Sequence, residues 1–428
     1  MIRKILGTIT TRAVTAALTL VIVLVNSYVL GAEKVGTISL ILLAVTLIQL
    51  LNNFVGGGAI VYLVPRIKLV FLFLPSCMWA LLTAIAGTAI LHILGLIPEG
   101  YSLHFLFLSV IWSLASVNFQ FLLGQERISW FNVVSVIQIA TLTLVLFGVL
   151  FIAGQREVMA YVLALYASYS VAFLLTLAAL IPTMQKTSLK GTGKVIKEIF
   201  RYGSIMQAGN IIQFLNYRVA YYFLEFFMGR AVVGVYSVGV QLSESIWLSG
   251  RSIAMVQYTR ISNEKDPAYA ARLTLTLCKV SFLLAFFGLG LVSLLLWLFF
   301  PILFRPEFSD IWIVMASLAF GILVFSVSIV LSPYFSGLGK PKHNTISAAI
   351  GLVFTAVCGW ILIPRMGIAG AGITASLSYS ATTLYQWILF LVSTRFSAKD
   401  FLLRKSEVQM ALEETGKFLG ITRKTTGR

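Results

Sequence analysis

Between Tyr202 and Arg260, charged and amide side chains are set into two long apolar runs, roughly 203–228 and 232–256, joined by a tight corner at Gly229-Arg230. At about 100° per residue, Gln207, Asn210, Arg218, Tyr221 and Glu225 share one narrow face of the first run; Ser237, Gln241, Glu244, Arg251 and Tyr258 share one face of the second. A charge near a bilayer centre costs at least about 2.5–3.5 kcal/mol, so these groups are expected to line an aqueous pathway or to pair with each other. In a hairpin turning near 229, position 218 lies opposite about position 241. An Arg218–Glu244 ion pair within one lobe, a ligand role for Arg218 and a coupling-ion role for Glu244 all remain open.

Stripes of this kind need long apolar helices to carry them, and the composition supplies them. The chain has 428 residues, 59% hydrophobic and 11% charged, more apolar surface than a water-soluble core could bury. Twelve apolar stretches are long enough to span about 30 Å of hydrocarbon, near 10–30, 36–63, 69–96, 102–123, 131–153, 158–181, 203–228, 232–256, 273–299, 310–333, 346–363 and 368–394. The first is too long for a signal-peptide core and is expected to be a retained helix. The expected fold is all-α and polytopic.

The formal charge of +17 does not point to nucleic acid, because the basic residues sit in short loops between apolar runs. Placing the N-terminus on the inner side puts 26 of the 32 Lys and Arg in inner segments and five in outer loops, with Arg218 mid-span. This bias predicts both termini on the cytoplasmic side.

Two halves repeat. Residues 30–39 match 228–237 without a gap at an offset of 198; Pro65-Arg66 corresponds to Thr259-Arg260, Leu123-Gly124 to Leu338-Gly339, and Ser168-Tyr169-Ser170 to Ser378-Tyr379-Ser380. Six spans separate the copies, so the halves share one membrane orientation and a pseudo-two-fold runs along the membrane normal. The expected domains are an N-terminal six-helix lobe (1–184), a basic cytoplasmic linker (185–201), a C-terminal six-helix lobe (202–395) and a basic tail (396–428), in which Phe401, Leu402, Val408 and Leu412 suggest an interfacial helix. In the first half, Thr8, Arg12, Thr15, Thr19 and Asn26 share a face of span 1, and Ser39, Thr46, Gln49 and Asn53 a face of span 2. Spans 1, 2, 7 and 8 are therefore predicted to turn polar stripes towards one cleft, while spans 4, 6, 9 and 12 serve as scaffold.

Enzymatic signals are weak. Gly191-Thr192-Gly193-Lys194 has Ser188 where a phosphate-binding loop needs glycine and continues with Val195, His92, His104 and His343 are scattered, and no paired carboxylates stand at catalytic spacing. No catalytic residue, metal or cofactor is implied. Cys77, Cys278 and Cys358 lie in apolar runs and read as core residues.

The run Val233-Gly234-Val235-Tyr236-Ser237, Glu244-Ser245-Ile246-Trp247 and Tyr258-Thr259-Arg260-Ile261-Ser262 resembles the pattern of bacterial polysaccharide transporters and lipid-linked oligosaccharide flippases, O-antigen flippases among them. Gly337-Leu338-Gly339-Lys340 followed by Ile363-Pro364-Arg365-Met366-Gly367-Ile368-Ala369-Gly370-Ala371-Gly372 is similar to a second motif of that family. The family belongs to the superfamily of multidrug, oligosaccharidyl-lipid and polysaccharide exporters. Thr259 departs from its usual proline, which puts a kink there in doubt.

The resemblance implies a flippase of the bacterial cytoplasmic membrane, turning an undecaprenyl-diphosphate-linked glycan to the outer leaflet by alternating access. Membrane lipids, and a polysaccharide polymerase or other assembly proteins, would be its partners; nucleic acid would not. The residues suit that cargo, because guanidinium is always protonated and binds phosphate in a bidentate manner. Arg12, Arg66, Arg251 and Arg260 at the inner mouth would capture the diphosphate with Arg218 deeper, and Asn53, Asn210, Gln213, Tyr217 and Tyr221 would offer hydrogen bonds and ring faces to sugars. The plain alternative for Arg12, Arg66 and Arg260 is membrane anchoring. Two alternatives remain. A drug or cation antiporter would favour acidic groups in the first lobe's cavity, where this chain has Arg and amides. A polysaccharide polymerase would carry a large outer loop, where the outer loops here are about 5–12 residues.

Overall fold

Apolar runs in a bilayer must satisfy their backbone hydrogen bonds internally, and helices do so. In the computed structural model, which describes residues 2–183, 192–263, 266–394 and 396–401, the chain is helical with no strand among those residues. The helices are α1 (Ile2–Leu30), α2 (Ala32–Gly56), α3 (Gly58–Leu63), α4 (Leu69–Ile93), α5 (Ser102–Gly124), α6 (Ile128–Phe147), α7 (Val158–Leu180), α8 (Thr192–Met228), α9 (Arg230–Ser245), α10 (Trp247–Asn263), α11 (Pro267–Leu303), α12 (Ile311–Gly337) and α13 (Lys342–Ser393).

Several spans differ from the sequence expectation. The second is broken at Gly57 into α2 and α3, and the eighth is bent by 46° between α9 and α10. That bend falls at Ser245-Ile246, and α10 runs unbroken through Thr259. α8 begins at Thr192, inside the stretch expected to be linker. α13, at 52 residues, is far too long for one crossing and breaks at Gly367 (φ 57°, ψ −131°), which glycine adopts without a Cβ penalty. The expected tail helix lies outside the described residues except for Phe401, which packs at a tilt against Trp387 (ring centroids 4.8 Å apart).

α1 to α7 pack chiefly on one another, as do α8 to α13, giving two six-helix lobes. The repeat is visible in matching bonds. Gly31 and Gly229, which precede α2 and α9, have φ/ψ of 87°/171° and 85°/175°. Ser168 donates to the Gln138 carbonyl and Ser378 to that of Gly351, both at 2.9 Å. Tyr169 stacks on Trp112 and Tyr379 packs on Phe325 at the corresponding place (4.7 and 5.1 Å). One register is corrected. Gln125, Glu126 and Arg127 close α5 with bonds to Phe121, Leu123 and Leu122, as Leu338, Gly339 and Lys340 close α12 with bonds to Tyr334, Ser336 and Phe335. Gly124 thus corresponds to Gly337, two residues before Gly339, and the left-handed residue is Glu126 in one copy and Gly339 in the other.

A buried polar hub ties α8 to α13. Thr355 donates to Asn216 Oδ1 (2.9 Å), as does Ser378, and a Cβ at Gly351 would run into the Asn216 amide and the Thr382 hydroxyl. Gly351→Val should therefore destabilise the protein by about 1–3 kcal/mol through overpacking, read as a lower unfolding temperature in detergent.

Candidate functional site

The lobes meet where the pseudo-two-fold passes between α2 and α9. Gly36 and Gly234, at the repeat offset, bring two backbones together: a Cβ on Gly36 would strike the Arg230 carbonyl, and one on Gly234 would strike that of Ala32. Small residues allow this closeness in a membrane, where packing and not water exclusion drives helix association. Just below, Ser39 donates to Ser237 across the axis (2.9 Å). The face carrying the α1–α2 and α8–α9 corners is therefore shut. The opposite, basic face is different: Thr46, Gln241, Asn210, Arg12 and Arg251 are all exposed.

Depth follows from helical rise. Counted from the corners at about 1.5 Å per residue, Arg218 lies about 15 Å down, whereas Arg12, Asn210 and Arg251 lie about 27–32 Å down, at the basic mouth. Arg12 and Arg251 have no acidic partner among the described residues. Arg66, in the α3–α4 connection, and Arg260, near the end of α10, are exposed on the same face; Arg260 donates to the Tyr269 hydroxyl (3.3 Å).

Arg218 makes a bidentate pair with Glu244, Nη1 to Oε1 at 3.0 Å and Nη2 to Oε2 at 2.8 Å, and Tyr379 Oη donates to the same carboxylate at 3.3 Å. Its guanidinium also stands 5.5 Å from the Tyr221 ring centroid. Of the alternatives left open by the sequence, the ion pair within one lobe is the arrangement present. Its floor is aromatic: Trp247 contacts Phe325 and Tyr379 (4.8 and 5.4 Å), Tyr217 contacts Tyr379 (5.7 Å), and Trp247 Nε1 donates to the Ile322 carbonyl (3.0 Å). Tyr221 is 4% exposed and packs edge-on against Tyr236 at 5.2 Å.

The stripes therefore do not all face one vestibule. Their corner-face ends, Ser39 and Ser237, close on each other. Gln49 turns into its own lobe and donates to Ser113 (3.0 Å), and Asn53 has a buried Oδ1 with no partner among the described residues. Glu225 pairs with Arg230 at the α8–α9 corner (3.3 Å). Only the basic-face halves stay open. Beyond the repeated Ser-Tyr-Ser, nothing in the sequence marks Tyr379 or Phe325 as a neighbour of the ion pair; the polar row on the helix of Tyr379 (Thr374, Ser378, Thr382 and Gln386) is bonded elsewhere, Ser378 to Asn216 and Gln386 to Asn344.

The two flanks of the cleft also differ. α8 lies against α2, α3 and α4, while α10 packs on α9, α11 and α12 within its own lobe. α10 thus presents Leu248, Arg251, Met255 and Tyr258 exposed. Across the described residues no three His, Cys, Asp or Glu side chains gather as a metal site.

No family model matches the chain. An uncharacterized membrane protein of Methanocaldococcus jannaschii is 25% identical over 230 residues, and the match spans 52% of this chain and 45% of that protein. Among solved structures, the chain is similar to the lipid II flippase MurJ in an inward closed conformation, with a TM-score of 0.70 at 16% identity over 99% of this chain and 94% of that one. It is also similar to an inward-facing multidrug resistance MATE family transporter (TM-score 0.67, 13% identity, 90% and 94% covered) and to a transporter from Pyrococcus furiosus (0.59, 13%, 91% and 95%). The chain is a multi-pass membrane protein with the two-lobe helical fold of transporters of the MOP superfamily.

Proposed function

We propose that this protein is a flippase for an anionic, diphosphate-linked polyprenyl glycolipid, working by alternating access between its lobes. The observation that carries the reading is a cleft shut at the corners and open at the basic face, with Arg12 and Arg251 exposed at its mouth and without acidic partners among the described residues. Two guanidiniums without acidic neighbours suit a diphosphate, and Asn210 and Gln241 offer amides to the sugar above it. Arg66 and Arg260 add positive potential around the mouth and draw the headgroup in. The basic face would be cytoplasmic, in accord with the distribution of Lys and Arg.

The unequal flanks favour a lipid over a soluble cargo. A polyprenyl chain stays in hydrocarbon while its headgroup crosses, which needs one side of the cleft unsealed, and the exposed Leu248 and Met255 of α10 provide an apolar border there. Arg218 and Glu244, already satisfied by each other and by Tyr379, serve as a fixed charge pair within the second lobe.

The test is reconstitution. Protein in vesicles should move a polyprenyl-diphosphate glycolipid between leaflets without ATP, and Arg12→Ala with Arg251→Ala should slow movement by about tenfold to a hundredfold, the value of one or two charge-assisted contacts. Unchanged flipping by the double variant would remove the mouth arginines from the pathway. Equal movement of a cationic drug would favour an antiporter instead.

A further inference from the structure

The corners at Gly31 and Gly229 share one backbone conformation, yet their surroundings differ. At Gly31 the connection between α11 and α12 reaches across from the second lobe. Arg305 donates to the Val29 carbonyl at the end of α1 (2.9 Å), and Glu307 Oε1 accepts from the Ala32 N–H at the start of α2 (2.9 Å). A Cβ on Gly31 would stand 2.7 Å from that carboxylate oxygen and 3.4 Å from the Arg305 guanidinium, whereas nothing lies within 4 Å of the equivalent point on Gly229. The repeat alone does not produce this contact.

Its chemistry is complementary to the helix ends. The last carbonyls of a helix and the first amides of the next lack intrahelical partners and carry partial negative and positive charge. Arg305 meets the former and Glu307 the latter. Both bonds run from one lobe to the other, so both are lost when the corner face opens.

We propose that Arg305 and Glu307 form a latch that holds the corner face shut and sets how often the protein visits the state open on that side. The inference rests on the alternating-access reading. The latch acts on one of two equivalent corners, so opening starts from an asymmetric restraint and not from the α2–α9 crossing alone.

The test uses the full chain with its three cysteines replaced and a single reporter thiol introduced by Ser237→Cys, at a position fully buried at the crossing. A membrane-impermeant maleimide is applied to the corner face in vesicles, with the rate normalised to that of an exposed Glu99→Cys reporter. Glu307→Ala and Arg305→Ala should each raise labelling of the Ser237→Cys reporter by about tenfold, the effect of one charge-assisted hydrogen bond. Glu307→Gln, which keeps an acceptor but loses the charge, should raise it less. Gly36→Leu, which forces α2 and α9 apart, serves as the opened reference. If Gly36→Leu labels rapidly while both latch variants match the parent, the latch is overturned and alternating access stands. If even Gly36→Leu leaves the buried reporter thiol unreactive, the crossing is no gate, and both latch and transport reading fall.

Discussion

Gly234→Leu is expected to abolish closure of the corner face and to cut glycolipid movement by at least a hundredfold. A Cβ at this position would meet the carbonyl carbon of Ala32 at 2.8 Å and the amide of Gly36 at 2.9 Å, atoms of a helix backbone that no rotamer change can move. Overpacking where side chains can adjust costs about 1–3 kcal/mol; between two backbones the upper end applies, and about 3 kcal/mol shifts a two-state equilibrium more than a hundredfold. Each lobe is built from its own contacts and should stay folded. The expected result is thus a folded protein that does not form a disulfide between Ser39→Cys and Ser237→Cys, while the glycine parent cross-links readily. Efficient cross-linking in the Leu variant would show that the helices can slide past each other, and the closed contact would lose its role.

The second large effect concerns the pair at mid-depth. Glu244→Ala leaves the Arg218 guanidinium, 24% exposed in its side chain, without its carboxylate. Removing one partner of a buried pair costs about 3–5 kcal/mol, because the remaining charge is neither solvated nor neutralised. The variant should accumulate poorly and unfold about 3–6 °C lower in detergent. The double variant Arg218→Met with Glu244→Leu should recover most of that loss, since apolar replacements of similar volume remove both charges together. Transport then separates structure from recognition. A fixed structural pair predicts a stable double variant that flips within about threefold of the parent. A stable double variant without transport would assign Arg218 to the headgroup and overturn the division of labour proposed above.

The long spans were legible because a bilayer demands about 20 apolar residues for each crossing, a constraint read without any contact. The breaks inside them were not. The break at Gly57 falls in the run Gly56-Gly57-Gly58, a local signal that a reading by hydropathy alone passes over; the bend at Ser245-Ile246 has no such local mark. The glycine corners at 31 and 229 were legible because the same short motif occurs twice, and the shared φ near +86° explains why glycine stands in both.

The site divides in the same way. Amphipathic spacing located Arg218 and Glu244 on facing stripes, and hairpin geometry brought them within reach, so their pairing was one of the outcomes on offer. Tyr379 as third partner was not, because it arrives from a helix 135 residues further along whose row of polar residues gives no sign of Glu244 as a partner. Arg305 and Glu307 look like ordinary loop charges in the sequence for a similar reason: their partners are backbone groups of the other lobe, 276 and 275 residues distant.

By itself the sequence determined a helical membrane protein of two repeated halves with basic residues gathered on one face, since hydropathy, period and charge bias are properties of residues taken in order. Only the tertiary structure decided which polar residues face water and which face each other. That choice depends on the angle at which the lobes lean: shut at Gly36 and Gly234, it closes Ser39 onto the buried Ser237 and leaves Arg12 and Arg251 open. A stripe of polar residues specifies a face of a helix, and what lies opposite that face is fixed by packing between segments nearly two hundred residues apart.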